Sequence, residues 1–162
     1  MIFGGTNKNT RHMKTILKSI AASLLLAASA HAGELVNVAG ASGIAVNGYD
    51  PVAFFTEKKP VHGDPAITAT YEGATYLFSS EEAKALFAKD PAKYAPQFGG
   101  YCAFGVSVGA LFPVDVSTWQ VRDGKLYLNL NPAILEAFNK DFEGYISKAD
   151  KNWPDLVKKQ PR

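Results

Sequence analysis

The sequence predicts an α+β fold: a small antiparallel sheet built from hairpins and covered by helices. Three observations carry that expectation. Residues 68–71 and 74–78, rich in threonine and aromatic side chains, flank Glu72-Gly73. Residues 119–122 and 125–129 flank Asp123-Gly124, among the strongest short hairpin signals. Between and after these hairpins, stretches with helical apolar spacing begin at capping residues.

In order along the chain, residues 1–32 read as a signal peptide with an upstream extension. Met13-Lys14 and Lys18 supply a basic region, residues 20–30 an apolar run, and Ala30-His31-Ala32 a small-residue cleavage pattern, leaving Gly33 as the first mature residue. A membrane anchor is the alternative; the run is short of the ~20 apolar residues that a span requires. Residues 33–43 are small and weakly patterned, an extended arm. Asn47-Gly48 and Asp50-Pro51 mark turns at the start of the domain, which extends over residues 44–154. Residues 52–55 form a short apolar run, a buried strand or turn-like segment. Residues 57–65 form a polar loop that carries His62.

After the first hairpin, Ser79 or Ser80 caps a helix with Glu81 and Glu82 in its first turn. Ala83, Leu86 and Phe87 share its apolar face. Asp90-Pro91 ends that helix and starts a second short one through Tyr94. Residues 101–108 are helix or strand; periodicity does not decide. Residues 109–117 read as a loop before the second hairpin. Asn131-Pro132 opens a helix to about Asn139, and residues 142–152 continue helical after a break near Asp141. Trp153-Pro154 is expected to close the fold, with residues 155–162 a frayed polar tail.

Charge bears on function once the leader is set aside. The whole chain carries a formal charge of +2. Residues 1–32 hold Lys8, Arg11, Lys14 and Lys18 and no acid; removing these four from 17 basic side chains leaves 13 against 15 acidic ones, a formal charge of −2. No basic surface for nucleic acid is implied, and no membrane span remains after signal cleavage. The mature chain, about 130 residues long, suits one domain with a real core. It keeps one cysteine, Cys102, and one histidine, His62.

Several stretches together carry a resemblance: Gly48-Tyr49-Asp50-Pro51-Val52-Ala53, residues 71–81 (Tyr71-Glu72-Gly73 through Glu81), residues 87–94 (Phe87 through Tyr94), Gly99-Gly100-Tyr101-Cys102-Ala103 and Asn152-Trp153-Pro154. With this ordered set, the chain resembles the exported YHS-domain proteins of bacteria over nearly all of its mature length. The resemblance implies a compact YHS-type α+β domain in the periplasm. Related YHS and TRASH-type domains bind heavy metals through cysteines, but Ala53, Ser79 and Ala83 stand where those cysteines are usual. Some relatives resemble selenoproteins with selenocysteine at the position of Cys102, which implies a chemically active chalcogen there.

A lone cysteine in an exported chain is buried, paired with another chain or small thiol, metal-bound, or kept for reactivity. Cys102 is therefore the candidate reactive thiol, with Tyr101 and His62 as candidate ligand-binding neighbours. A closed zinc site needs four ligands, mostly Cys and His, and the chain offers one of each. A Cys102–His62 pair leaves room for a soft metal such as copper(I). With no second cysteine, a redox cycle requires a partner thiol. The chain contains no P-loop, Gly-x-Ser-x-Gly or His-Glu-x-x-His pattern, and whether it is an enzyme stays open. Two functions follow: a thiol-dependent redox or soft-metal and small-ligand binding module centred on Cys102, or a non-catalytic binding or accessory domain with a structurally buried cysteine.

Overall fold

The structure is a computed structural model that describes residues 35–160. The expected signal peptide, residues 1–32, lies outside them. Among the described residues no helix is long and apolar enough to cross a membrane.

Two hairpins dominate, as expected. Strands β3 (Asp64–Tyr71) and β4 (Ala74–Phe78) join through Glu72-Gly73, and β5 (Asp115–Arg122) and β6 (Lys125–Asn129) through Asp123-Gly124. In both turns the two central residues have positive φ, the primed geometry that matches strand twist. The hairpins stand in separate sheets. Short strands β1 (Val38–Ala39) and β2 (Ile44–Ala45) extend the first sheet to the order β1-β2-β4-β3. Within it β2 runs parallel to β4, with Ile44 opposite Thr75, so the first sheet is mixed. A parallel neighbour needs a crossover, and the chain from Val46 through β3 supplies it.

The apolar run at residues 52–55 becomes a single helical turn, α1 (Ala53–Thr56). Asp50 Oδ1 accepts from Val52 N at 2.8 Å, and Thr56 Oγ1 donates to Val52 O at 3.1 Å, so local side-chain bonds turn the run into a helix. Helix α2 (Glu81–Lys89) is capped by Ser80, which accepts from Ala83 N at 3.1 Å. Asp90 caps α3 (Pro91–Tyr94). The undecided stretch at 101–108 forms α4 (Ala103–Ser107). Asn131 caps α5 (Pro132–Lys140), and Asp141 caps α6 (Phe142–Lys158).

Helix α6 passes through Pro154 to Lys158, where the sequence suggested that Trp153-Pro154 closes the fold. Proline removes one backbone donor from the helix. Buried Leu156, part of the second core, holds the turn beyond it in place.

Two cores lie on either side of the second hairpin. The first gathers Val52, Phe54, Tyr76, Phe78, Phe87 and Tyr94 with Leu126 and Leu128. The second gathers Phe98, Val106, Phe138, Phe142 and Leu156 with Tyr127. Successive strand residues point to opposite faces, so β6 sends Leu126 and Leu128 one way and Tyr127 and Asn129 the other.

The N-terminal residues 35–37 dock on the Gly99-Gly100 pair. Asn37 N donates to Gly99 O at 2.8 Å, and Asn37 Nδ2 donates to Gly100 O at 3.1 Å. Gly99 has φ +59°, and a Cβ added to it would fall 1.8 Å from the Leu35 carbonyl oxygen. The glycine pair thus serves both the left-handed backbone and a close approach, and what approaches is the chain's own arm.

Candidate functional site

Cys102 is the residue that opens α4. Its Sγ accepts from Gly105 N at 3.4 Å, the bond that a serine or aspartate cap would make. The thiol in turn donates to Asn129 Oδ1 at 3.6 Å, and the same oxygen accepts from Phe104 N at 3.1 Å. The backbone of Cys102 is also tied down, its N donating to Phe112 O at 3.1 Å. The residue is 1% exposed. Burial pushes the thiol above its ordinary range, and the backbone N–H groups of Gly105, Leu130 and Phe104 offset only part of that rise.

Asn129 reaches the thiol because of strand parity and because Thr118 fixes its backbone. The β5–β6 register shifts between Asp115 and Gln120: the register of Gln120 with Tyr127, continued, would set Thr118 opposite Asn129, but the shift sets Asp115 there instead. The fully buried Thr118 hydroxyl bridges the shift: Asn129 N donates to it at 2.8 Å, and it lies 2.7 Å from Asn129 O. Asn129 Nδ2 is buried without a partner. At the far end of α4, Asn152 Nδ2 donates to Val106 O and Ser107 O, both at 3.0 Å, so α6 closes the orphan carbonyls of that short helix. Asn129, Thr118 and Asn152 were not singled out as site residues from sequence. A polar residue at the buried parity of β6 was the one available signal for Asn129.

The other sequence-proposed site residues make their described contacts elsewhere. Tyr101 is half-buried, which raises its phenol above the ordinary range, and its ring lies 6.4 Å from Trp153 in the second core. His62 is exposed; its ring stacks on Tyr49 with centroids 4.0 Å apart, and its backbone bridges to Tyr49. His62 and Cys102 share no contact partner among these bonds. Asp50 is completely buried and is committed to bracing: besides Val52 N, it accepts from Ser79 N at 2.9 Å and from Ser79 Oγ at 2.7 Å.

Residues 52–98 match the family model of the YHS domain. No curated protein and no solved structure matches the chain. The YHS segment covers α1, the first hairpin, α2 and α3, and ends just before Cys102; α4 to α6 lie beyond it.

The family's link with metal can be tested on the residues present. Within the YHS segment Ala53 is buried in the first turn, and Ser79 is spent on Asp50. Outside it, the side chain bonded to the Cys102 sulfur is a carboxamide. Among the described residues no three His, Cys, Asp or Glu side chains gather as a ligand set. The described residues do not fit a metal centre of three or more such ligands.

The raised thiol has a consequence for stability. A group whose pKa is higher in the folded state stabilises that state while protonated and ceases to do so as pH climbs. The Cys102 contribution is therefore complete below the free-thiol value of about 8.5 and is lost above it. Stability measured by urea unfolding should fall as pH rises above about 8.5. In Cys102→Ala that slope should flatten; an unchanged slope in the variant would remove Cys102 as its source. The tyrosines Tyr101 and Tyr127, also raised by burial, act at still higher pH.

Proposed function

We propose that the chain is an exported, non-catalytic binding domain of YHS type in which Cys102 is a structural thiol. One observation carries this reading: the sulfur is sealed from solvent and both of its hydrogen bonds are spent inside the fold, one capping α4 and one on Asn129. A nucleophilic or redox cysteine works as an accessible thiolate, and burial here favours the neutral thiol. Export rests on the basic, apolar and small-residue pattern of residues 13–32.

A second reading, a thiol-dependent redox or soft-metal module with a partner thiol or small ligand, draws on the three backbone N–H groups that favour an anionic sulfur. It requires the buried sulfur to become exposed first. Alkylation with iodoacetamide against pH separates the two. The structural reading expects Cys102 to label slowly in the native protein even at pH 9 and quickly once unfolded in urea. Rapid native labelling below pH 7 would overturn it in favour of the reactive thiol.

A further inference from the structure

A groove unrelated to Cys102 opens where α1 meets β5. Phe54 and Phe55 come from α1, Trp119 and Val121 from β5, and Lys58 from the residues just after α1. Together they enclose about 290 Å³. The floor is Phe54, 1% exposed, whose ring centroid lies 5.5 Å from that of Trp119. Phe55, Trp119 and Val121 are half-buried walls. Trp119 and Val121 are two apart on a strand and so share one face.

The single charge in this lining is Lys58. Its backbone is left-handed, φ +54°, where the chain leaves α1, and this places it at the rim. The neighbouring acid, Glu57, is taken by Lys59 at 3.5 Å. Among the described residues Lys58 has no carboxylate partner. An aromatic-walled groove with one unpaired cation at its lip complements a ligand with a flat apolar body and one negative charge. Size narrows the class. An apolar cavity of about 150 Å³ holds benzene, so this groove suits one ring with a short acidic arm and is too small for a folded peptide.

We infer that the groove formed by Phe54, Phe55, Trp119 and Val121 binds a free small aryl carboxylate, its ring against Trp119 and its carboxylate at Lys58. This deepens the binding-domain reading and rests on it. The test is a titration of phenylacetate into the protein at low salt, followed through the indole N–H resonances of Trp119 and Trp153. Trp119 should shift saturably while Trp153, packed in the second core, stays fixed. Lys58→Gln should weaken phenylacetate binding by about threefold and Lys58→Glu by about tenfold, in keeping with an exposed ion pair. Both should change binding of the neutral isostere phenylacetamide far less than that of phenylacetate. Lys58 is exposed, so neither substitution disturbs the core. No saturable shift at Trp119, equal binding of benzylamine, or indifference to Lys58→Glu would each overturn the inference. None of these outcomes touches Cys102, whose alkylation tests the binding-domain reading separately.

Discussion

Replacing Asp50 by Ala should lower the stability of the domain by about 3 kcal/mol. This carboxyl group is wholly buried and has no basic partner among its hydrogen bonds; three donors hold it. Oδ1 takes Val52 N and shapes the entry into α1. Oδ2 takes both the N–H and the hydroxyl of Ser79, at the exit from β4. One side chain thereby fastens the first helical turn to the end of a strand 29 residues away. Alanine would orphan Val52 N in a residue 1% exposed, while Ser79, which is exposed, could turn to water. Asp50→Asn keeps one acceptor oxygen and should cost about half as much. Urea unfolding followed by tryptophan emission measures both. A loss below about 1 kcal/mol for the alanine variant would show that the brace is dispensable.

Gly99→Ala should be nearly as damaging, about 3 kcal/mol, whereas Gly100→Ala should cost about 1 kcal/mol. Both glycines have positive φ, so both substitutions carry the left-handed penalty. They differ in what a methyl group would meet. At Gly100 the nearest atom is Cγ of Pro96, at 3.1 Å, a contact that gives by a few tenths of an ångström. At Gly99 it is the Leu35 carbonyl, at 1.8 Å, which cannot remain where it is. The arm has to leave, taking with it both hydrogen bonds from Asn37 and the packing of Val36 and Val38 on the first core. Limited proteolysis separates the two effects. Cleavage within residues 35–38 should quicken in Gly99→Ala and stay at the parent rate in Gly100→Ala. Equal protection in both variants would mean that the arm does not depend on this glycine.

What the sequence makes legible here is whatever depends on neighbours in the chain. Glu72-Gly73 and Asp123-Gly124 dictate tight turns by themselves, and Ser80, Asp90 and Asn131 cap helices three residues away or nearer. The Asp141 break was visible for the same reason. The site depends on distant pairings. Asn129 meets Cys102 across 27 residues, with its backbone held by the Thr118 hydroxyl at a register shift between β5 and β6. A free cysteine in sequence is compatible with burial and with reactivity alike; the bonds that hold its sulfur come from α4 and the strand β6. Likewise, nothing local tells whether His62 approaches the thiol; the Tyr49 stack and bridge settle where it goes. Pro154 misled because a proline is a local stop signal, whereas Leu156 beyond it answers to a core built elsewhere.

The alternation along β6 has a consequence for how this chain can vary. Leu126 and Leu128 belong to one core, and Tyr127 to the other. Deleting or inserting one residue in this strand would trade the two sets, thrusting a tyrosine into a leucine-sized space while leaving a hole where its ring had been. Both interiors would fail together, although the family match ends at residue 98, well before the strand begins. The border that homology draws is therefore not one at which the molecule could be cut: a fragment ending there would lack Val116, Leu126 and Leu128, and would leave Phe54 and Phe78 without their far wall. Changes of length are therefore tolerable in the tips of the hairpins and intolerable in this strand, whose two faces must change together.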